Sequence, residues 1–156
     1  MVNRQSSIKI RLLIPEQDQA EWLRLRQALW PDDSEIEHLQ EMAALTAVLP
    51  SAPVFVAERP SAPGLCGFLE VGLRSYAEGC DSSPVPYLEG WYVDADARLG
   101  GVGRALVQAA EAWASAAGYT EMASDTELSN VASQQAHQAL GYEEVERSVS
   151  FRKQLP

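Results

Sequence analysis

Basic residues are scarce in this 156-residue chain: 12 Lys and Arg stand against 22 Asp and Glu, a formal net charge of −10. Nucleic acids and anionic membranes are bound by clustered cations that neutralise phosphates, so the deficit argues against both partners. It points instead to a cationic partner. Cysteine is nearly absent, with only Cys66 and Cys80, which excludes a disulfide framework and fits a reducing, cytoplasmic compartment. His38 and His137 complete a set of scattered soft ligands without the short paired spacings of zinc ligation, so no metal is expected. No apolar run approaches the ~20 residues of a membrane span, and no charged-then-apolar signal segment opens the chain. Repeats and low-complexity tracts are also missing, which excludes a solenoid.

What is present is an ordinary globular composition, 46% hydrophobic and 22% charged, in a chain that can bury a core as one domain spanning 1–156. Ile8 to Ile14 predicts a first strand that stops at Pro15, and Trp22, Leu25, Leu29 and Trp30 predict a helix from about Asp18. Ser34 and Glu37 form a capping-box pattern for a second helix, with Ile36, Leu39, Ala43 and Ala47 on one face. Strands follow at Val54–Glu58, Leu65–Arg74 and Tyr87–Asp94, the last with Tyr87, Glu89, Trp91 and Val93 opposite Leu88, Gly90 and Tyr92. Between the second and third of these lies a loop from Tyr76 to Pro86 that carries Glu78 and Asp81 but no base. A third helix follows Gly103 with a stripe of Val102, Leu106, Ala109, Trp113 and Ala116. A short strand at Glu121–Asp125, a helix at Val131–Leu140 and a last strand at Glu143–Lys153 complete the order β-α-α-β-β-β-α-β-α-β.

The segment Arg98-Leu99-Gly100-Gly101-Val102-Gly103-Arg104 opens the third helix. Glycines there let the first free amides of a helix converge on an anion, with the helix dipole adding favourable potential. The spacing is not that of a dinucleotide fingerprint, whose third glycine would fall at Leu106, nor of a P-loop, since no Lys-Ser/Thr pair follows. Another phosphate carrier, or a plain glycine-rich turn, remains.

Arg98-x-x-Gly101-x-Gly103 after an aromatic strand, followed by Asn130 and Leu140-Gly141-Tyr142, resembles the GNAT superfamily of acyl-CoA-dependent N-acetyltransferases. Leu29-Trp30-Pro31, His38-Leu39, the Tyr76–Val85 stretch, Leu88-Glu89-Gly90, Ala123-Ser124-Asp125 and His137–Gly141 are similar to the aminoglycoside 6'-N-acetyltransferases within it. The resemblance implies an α/β fold with a largely antiparallel central sheet, splayed between the fourth and fifth strands and covered by helices on both faces. It implies acetyl-CoA as cosubstrate, gripped at Trp91, Tyr92 and Val93, at Arg98, Leu99, Gly100, Gly101, Val102, Gly103 and Arg104, and at Asn130. It implies aminoglycoside contacts at Trp30, Tyr76, Glu89, Asp125 and Glu146, and a homodimer in which the last strand crosses to the partner.

Chemistry supports the same expectation. An ammonium has no lone pair with which to attack a thioester, so a carboxylate must accept its proton, directly or through water. Asp125 is the first candidate, with Glu89 sharing the role. His137 stands where many superfamily members have a tyrosine acid, and proton donor and packed structure are its two readings. A ping-pong route through Cys66 or Cys80 lacks an identified activating base. The alternatives to aminoglycoside transfer are acetylation of a polyamine or peptide amine, and a non-catalytic acyl-CoA-binding module.

Overall fold

The structure is a computed structural model that describes residues 7–156; the expectation about the opening of the chain falls partly on residues outside that range. Five strands form one sheet in the order β1 to β5: β1 (Ile10–Leu12), β2 (Val54–Glu58), β3 (Leu65–Arg74), β4 (Val85–Val93) and β5 (Ala123–Ser124). Neighbours are antiparallel except β4 and β5, which are parallel. Helices α1 (Pro15–Leu29) and α2 (Glu35–Val48) cover one face through Trp22, Leu25 and Met42, packed on Val54, Val56 and Phe68. Helix α3 (Val102–Ala116) covers the other through Leu106, Val107 and Ala110, packed on Ala57, Leu69 and Leu88. After β5, helix α4 (Val131–Ala139) leads Leu140 and Tyr142 into the α3-side cluster.

Local sequence explains most boundaries. Pro15 is the first residue of α1 rather than the stop of a strand, because a helix start has no use for the amide that proline lacks. Asp18 accepts from the Ile14 amide at 2.8 Å, which helps hold that start, and its pairing with Arg11 keeps its carboxyl below the usual range. The Ser34–Glu37 capping box forms as expected.

Several expectations are corrected. The first strand is confined to Ile10–Leu12. On α2, Ile36, Ala43 and Ala47 face outward, and the buried residues are His38 and Met42; the His38 Nε2 meets the Trp30 carbonyl at 3.2 Å, so a polar residue belongs to the inward face. On α3 the buried stripe runs through Val102, Leu106, Val107, Ala110 and Ala114, leaving Ala116 exposed and Ala109 and Trp113 at its margin. Strand β4 begins at Val85 and is bulged: Val71 pairs with Leu88 and Glu70 with Gly90, so Glu89 has no opposite residue. The extra residue breaks the alternation and moves Leu88 to the α3 face with Trp91 and Val93.

Strand β5 pairs only Ala123 with Tyr87 and Ser124 with Leu88, shorter than the expected Glu121–Asp125. The bulge follows at once, and from Gly90 onward the outer edge of β4 has no neighbour in the sheet. The expected last strand at Glu143–Lys153 is absent: residues 143–156 are irregular, with Val145, Val149 and Phe151 exposed. Apolar alternation shows only which face of a segment would be buried, and here the segment joins no ladder.

A buried ion pair ties α1 to the sheet under the bulge. Arg26 and Glu70 are each 2% exposed, with Arg26 Nη1 at 2.5 and 2.6 Å from the two Glu70 oxygens. The Trp22 indole donates to the same carboxylate at 2.8 Å, and Arg26 also contacts Glu41. Replacing Glu70 with Ala should leave the guanidinium buried without its partner and cost about 3–5 kcal/mol in urea unfolding; a loss below ~1 kcal/mol would show that the pair is dispensable.

Candidate active site

Two features are joined through His137 and Trp91 near the point where β4 leaves β5. The first is the glycine turn. Gly101 caps α3 in the left-handed region at φ 88°, a conformation that side chains disfavour. The first ladder bond of α3 runs from the Ala105 amide to the Gly101 carbonyl at 3.0 Å, so the amides of Val102, Gly103 and Arg104 lack acceptors within the helix. Arg104 and Gly100 are exposed, as is Leu99, which also takes positive φ at 62°. Arg98 is turned back onto the strand, its Nε donating to the Val93 carbonyl at 2.9 Å and its guanidinium lying 5.6 Å from the Tyr92 ring centroid.

The open edge of β4 has a definite polarity. The Asp94 amide donates to the Cys66 carbonyl on β3 at 2.8 Å. Alternation along a strand then turns the Tyr92 backbone toward β3 and those of Trp91 and Val93 toward the gap. The edge therefore offers the backbone groups of Trp91 and the Val93 amide, the Val93 carbonyl being held by Arg98, with the glycine turn a few residues beyond.

The second feature is an acidic groove of about 1010 Å³, lined by Tyr76, Glu78, Tyr87, Asp125, His137 and Glu146 among others. Arg74 lines it too and links it to Glu89: its Nε and Nη2 donate to the two Glu89 oxygens at 2.8 and 2.6 Å. Its guanidinium lies over the Tyr87 ring, 3.5 Å from the centroid. Burial first, and then the Asp125 carboxylate, push the Tyr87 phenol above its ordinary value. Hydrogen bonding to Glu78 does the same for Tyr76. Two missing side chains make room: a Cβ on Gly72 would lie 2.7 Å from the Glu89 carboxylate, and one on Gly90 would lie 2.6 Å from Cη2 of Trp30.

His137 sits between these features with both ring nitrogens engaged. Nδ1 is 2.7 Å from the Ser133 carbonyl and Nε2 is 2.8 Å from the Ser124 hydroxyl. Since a carbonyl can only accept, Nδ1 carries the proton and the serine hydroxyl donates to Nε2. The ring meets Trp91 edge-on at 5.4 Å and Tyr142 at 5.7 Å. Among the described residues no trio of His, Cys, Asp or Glu is clustered as a metal site would need. Burial raises the thiols of both Cys66 and Cys80, which disfavours the thiolate.

A model of the Acetyltransferase (GNAT) family matches residues 19–142. The aminoglycoside N(6')-acetyltransferase type 1 of Klebsiella aerogenes is 49% identical over 140 residues, 88% of this chain and 91% of that protein. The Stenotrophomonas maltophilia enzyme of the same name is 44% identical over 140 residues, 88% of each. The chain belongs to the GNAT family, within the aminoglycoside 6'-N-acetyltransferases. Among solved structures, AAC(6')-Iy in complex with the bisubstrate analogue CoA-S-monomethyl-acetylneamine superposes with a TM-score of 0.86 at 36% identity, covering 96% of this chain and all 100% of that one. AAC(6')-Ih from Acinetobacter baumannii gives 0.84 at 37% identity, with coverage of 96% and 100%.

Within this GNAT fold the expected site residues fall into separate groups. Tyr76, Asp125, His137 and Glu146 line one groove, and Glu89 joins it through Arg74. Trp30 lies outside the groove lining, over Gly90, with Arg26 4.7 Å from its ring centroid and Phe68 edge-on at 6.2 Å. The Asn130 side chain accepts from the Ser133 amide at 3.0 Å and so caps α4.

Arg74 and Glu121 were not singled out from the sequence. A lone arginine at a strand end looks like a boundary, and nothing local announces that it turns back onto Glu89. Glu121 holds the long loop: its Oε1 accepts from the Ser82 hydroxyl at 2.6 Å and from the Ser82 and Asp81 amides at 2.7 and 3.0 Å.

Those donors, the Ser82 hydroxyl foremost, keep the Glu121 carboxyl below its usual range. A carboxylate whose native pKa is depressed stabilises fully above its unfolded value and loses that contribution as pH falls through the native value. Protection of the Asp81 and Ser82 amides from hydrogen exchange, corrected for intrinsic rates, should be level above about pH 5 and fall on acidification. Glu121→Gln should give weak, pH-independent protection, and unchanged protection in that variant would show that the loop holds itself.

Proposed function

We propose that this chain transfers an acetyl group from acetyl-CoA to the 6'-amine of aminoglycosides, directly within a ternary complex, and so confers resistance to them. The observation that carries this reading is an acidic groove joined, through His137 and Trp91, to the glycine turn beside the open edge of β4. The family and the solved relative bound to a CoA–aminoglycoside bisubstrate analogue support it. Acetyl-CoA supplies the acyl group as an activated thioester.

The residues of the chain divide the remaining work. The amides of Val102, Gly103 and Arg104, with Leu99, Gly100 and Gly101 shaping the turn, suit the pyrophosphate. The backbone groups of Trp91 and the Val93 amide suit the pantetheine arm, and an edge amide there can donate to the acyl oxygen as negative charge develops. Asp125, exposed in the groove, accepts the proton of the reacting ammonium, and Glu89 and Glu146 hold other ammonium groups. Trp30 and Tyr76 supply apolar faces for the sugar rings. A departing thiolate needs little help from an acid, and the bonding of His137 favours its positioning role: it fixes Trp91 at the edge. Arg98 and Asn130 complete the cofactor side by tethering β4 and capping α4.

Release of free CoA thiol with kanamycin or tobramycin tests the reading, and release with a peptide alone would replace it with a protein-amine substrate. Asp125→Asn should lower turnover by about 10²–10⁴-fold if the carboxylate is the base. An unchanged rate at saturating kanamycin would remove it from that role.

The whole chain, 1–156, is read as one domain working as a homodimer in the cytoplasm. Exposed Val145, Val149 and Phe151 in an extended tail support pairing of that tail with a second copy, and the unpaired cysteines suit a reducing compartment. Sedimentation should give a dimer, and truncation after Tyr142 should give a monomer. A dimer that survives truncation would place the interface elsewhere.

A further inference from the structure

The acidic groove already holds a cation of its own. Among its described lining residues the strong bases are Arg74 and Arg147, and Arg147 closes on Glu144 three residues before it, Nε to Oε1 at 2.5 Å. Arg74 reaches further, from the end of β3 to the bulged residue of β4. Its fork meets both oxygens of Glu89, its plane lies on Tyr87, and both members of the pair remain accessible, with side chains 43% and 33% exposed. A carboxylate, an aromatic face and a second carboxylate at Asp125 form a site fit for an ammonium group, and the guanidinium occupies it.

We propose that Arg74 is a built-in competitor, so that a substrate cation binds at Glu89 by displacing the guanidinium rather than by entering an empty acidic site. The inference rests on the aminoglycoside reading above and deepens it. An exchange of one cation for another at a single carboxylate gains little, because the Coulomb energy lost with arginine offsets that gained with the ammonium. A ligand with several ammonium groups keeps its further contacts, at Asp125 and Glu146, as net gain. Arg74 thereby raises the threshold for every amine at Glu89, which a polycation clears through its further contacts and a monovalent amine does not.

The exchange predicts a specific kinetic signature. In Arg74→Gln, KM for kanamycin should fall about three- to tenfold. KM for a monoamine such as cyclohexylmethylamine should fall by a similar factor, because both ligands shed the same displacement cost. The calorimetric Kd for CoA should stay unchanged, since the turn at Gly101 is not touched. Arg74→Lys keeps the charge without the fork and should give intermediate values; it carries the test if the glutamine variant unfolds. A KM that rises in Arg74→Gln would make the guanidinium a direct ligand of the antibiotic, and a KM that stays constant while the melting temperature drops would make it a structural tie. Either result overturns the proposal. Should wild-type protein release no CoA with kanamycin, the substrate reading fails instead. Calorimetric titration of spermine into wild type and Arg74→Gln then decides the exchange alone: tighter binding to the variant upholds it, and equal or weaker binding overturns it.

Discussion

A strand that loses its neighbour exposes a row of unpaired donors and acceptors, and β4 does this from Gly90 onward. Every other feature of the site is arranged about that edge. The bulge at Glu89 bends the strand away just after the Leu88–Ser124 pair, β5 ends there, and the helix that follows β4 brings its own free amides to the same place. Two sets of unsatisfied backbone groups, one from a strand and one from a helix start, are thus presented together. An extended ligand with an anionic end satisfies both without any cationic side chain.

The acidic character of the chain becomes local in the groove. Net charge is a property of the whole chain, and the arrangement gives it a place: Asp125 and Glu146 line the space, and Glu89 reaches it already paired to Arg74. Away from the site, arginines and carboxylates do structural work. Arg24 and Arg59 both close on Asp94, at 3.0 and 2.7 Å, where β4 ends, and Arg26 with Glu70 joins α1 to the sheet beneath Trp30. Charges that the sequence presents as equivalent are therefore divided between scaffold and cleft.

The parts of the fold legible in the sequence are those written in local chemistry. Val54–Glu58 and Leu65–Arg74 are bounded by prolines and glycine and appear at those limits, and the capping box starts α2 where Ser34 and Glu37 place it. The parts that were not legible depend on partners distant in sequence. No periodicity reveals that Glu89 is an extra residue, because a bulge is a relation between two strands. The alternation of Val145, Val149 and Phe151 tells which face of the tail is apolar but not what covers it. The inward place of His38 depends on the Trp30 carbonyl that receives it. Of the residues named from the resemblance, Tyr76, Asp125, His137 and Glu146 lie along one groove and Trp30 lies outside it, while the role of Arg74 depends on a partner 15 residues away.

The glycines at 72 and 90 carry a consequence for how such an enzyme can change. Each is a gap in the sheet surface filled by another residue, Glu89 over the first and Trp30 over the second. A methyl group at either spot would push aside Glu89 or Trp30. Neither position accepts a larger residue unless Glu89 or Trp30 shifts.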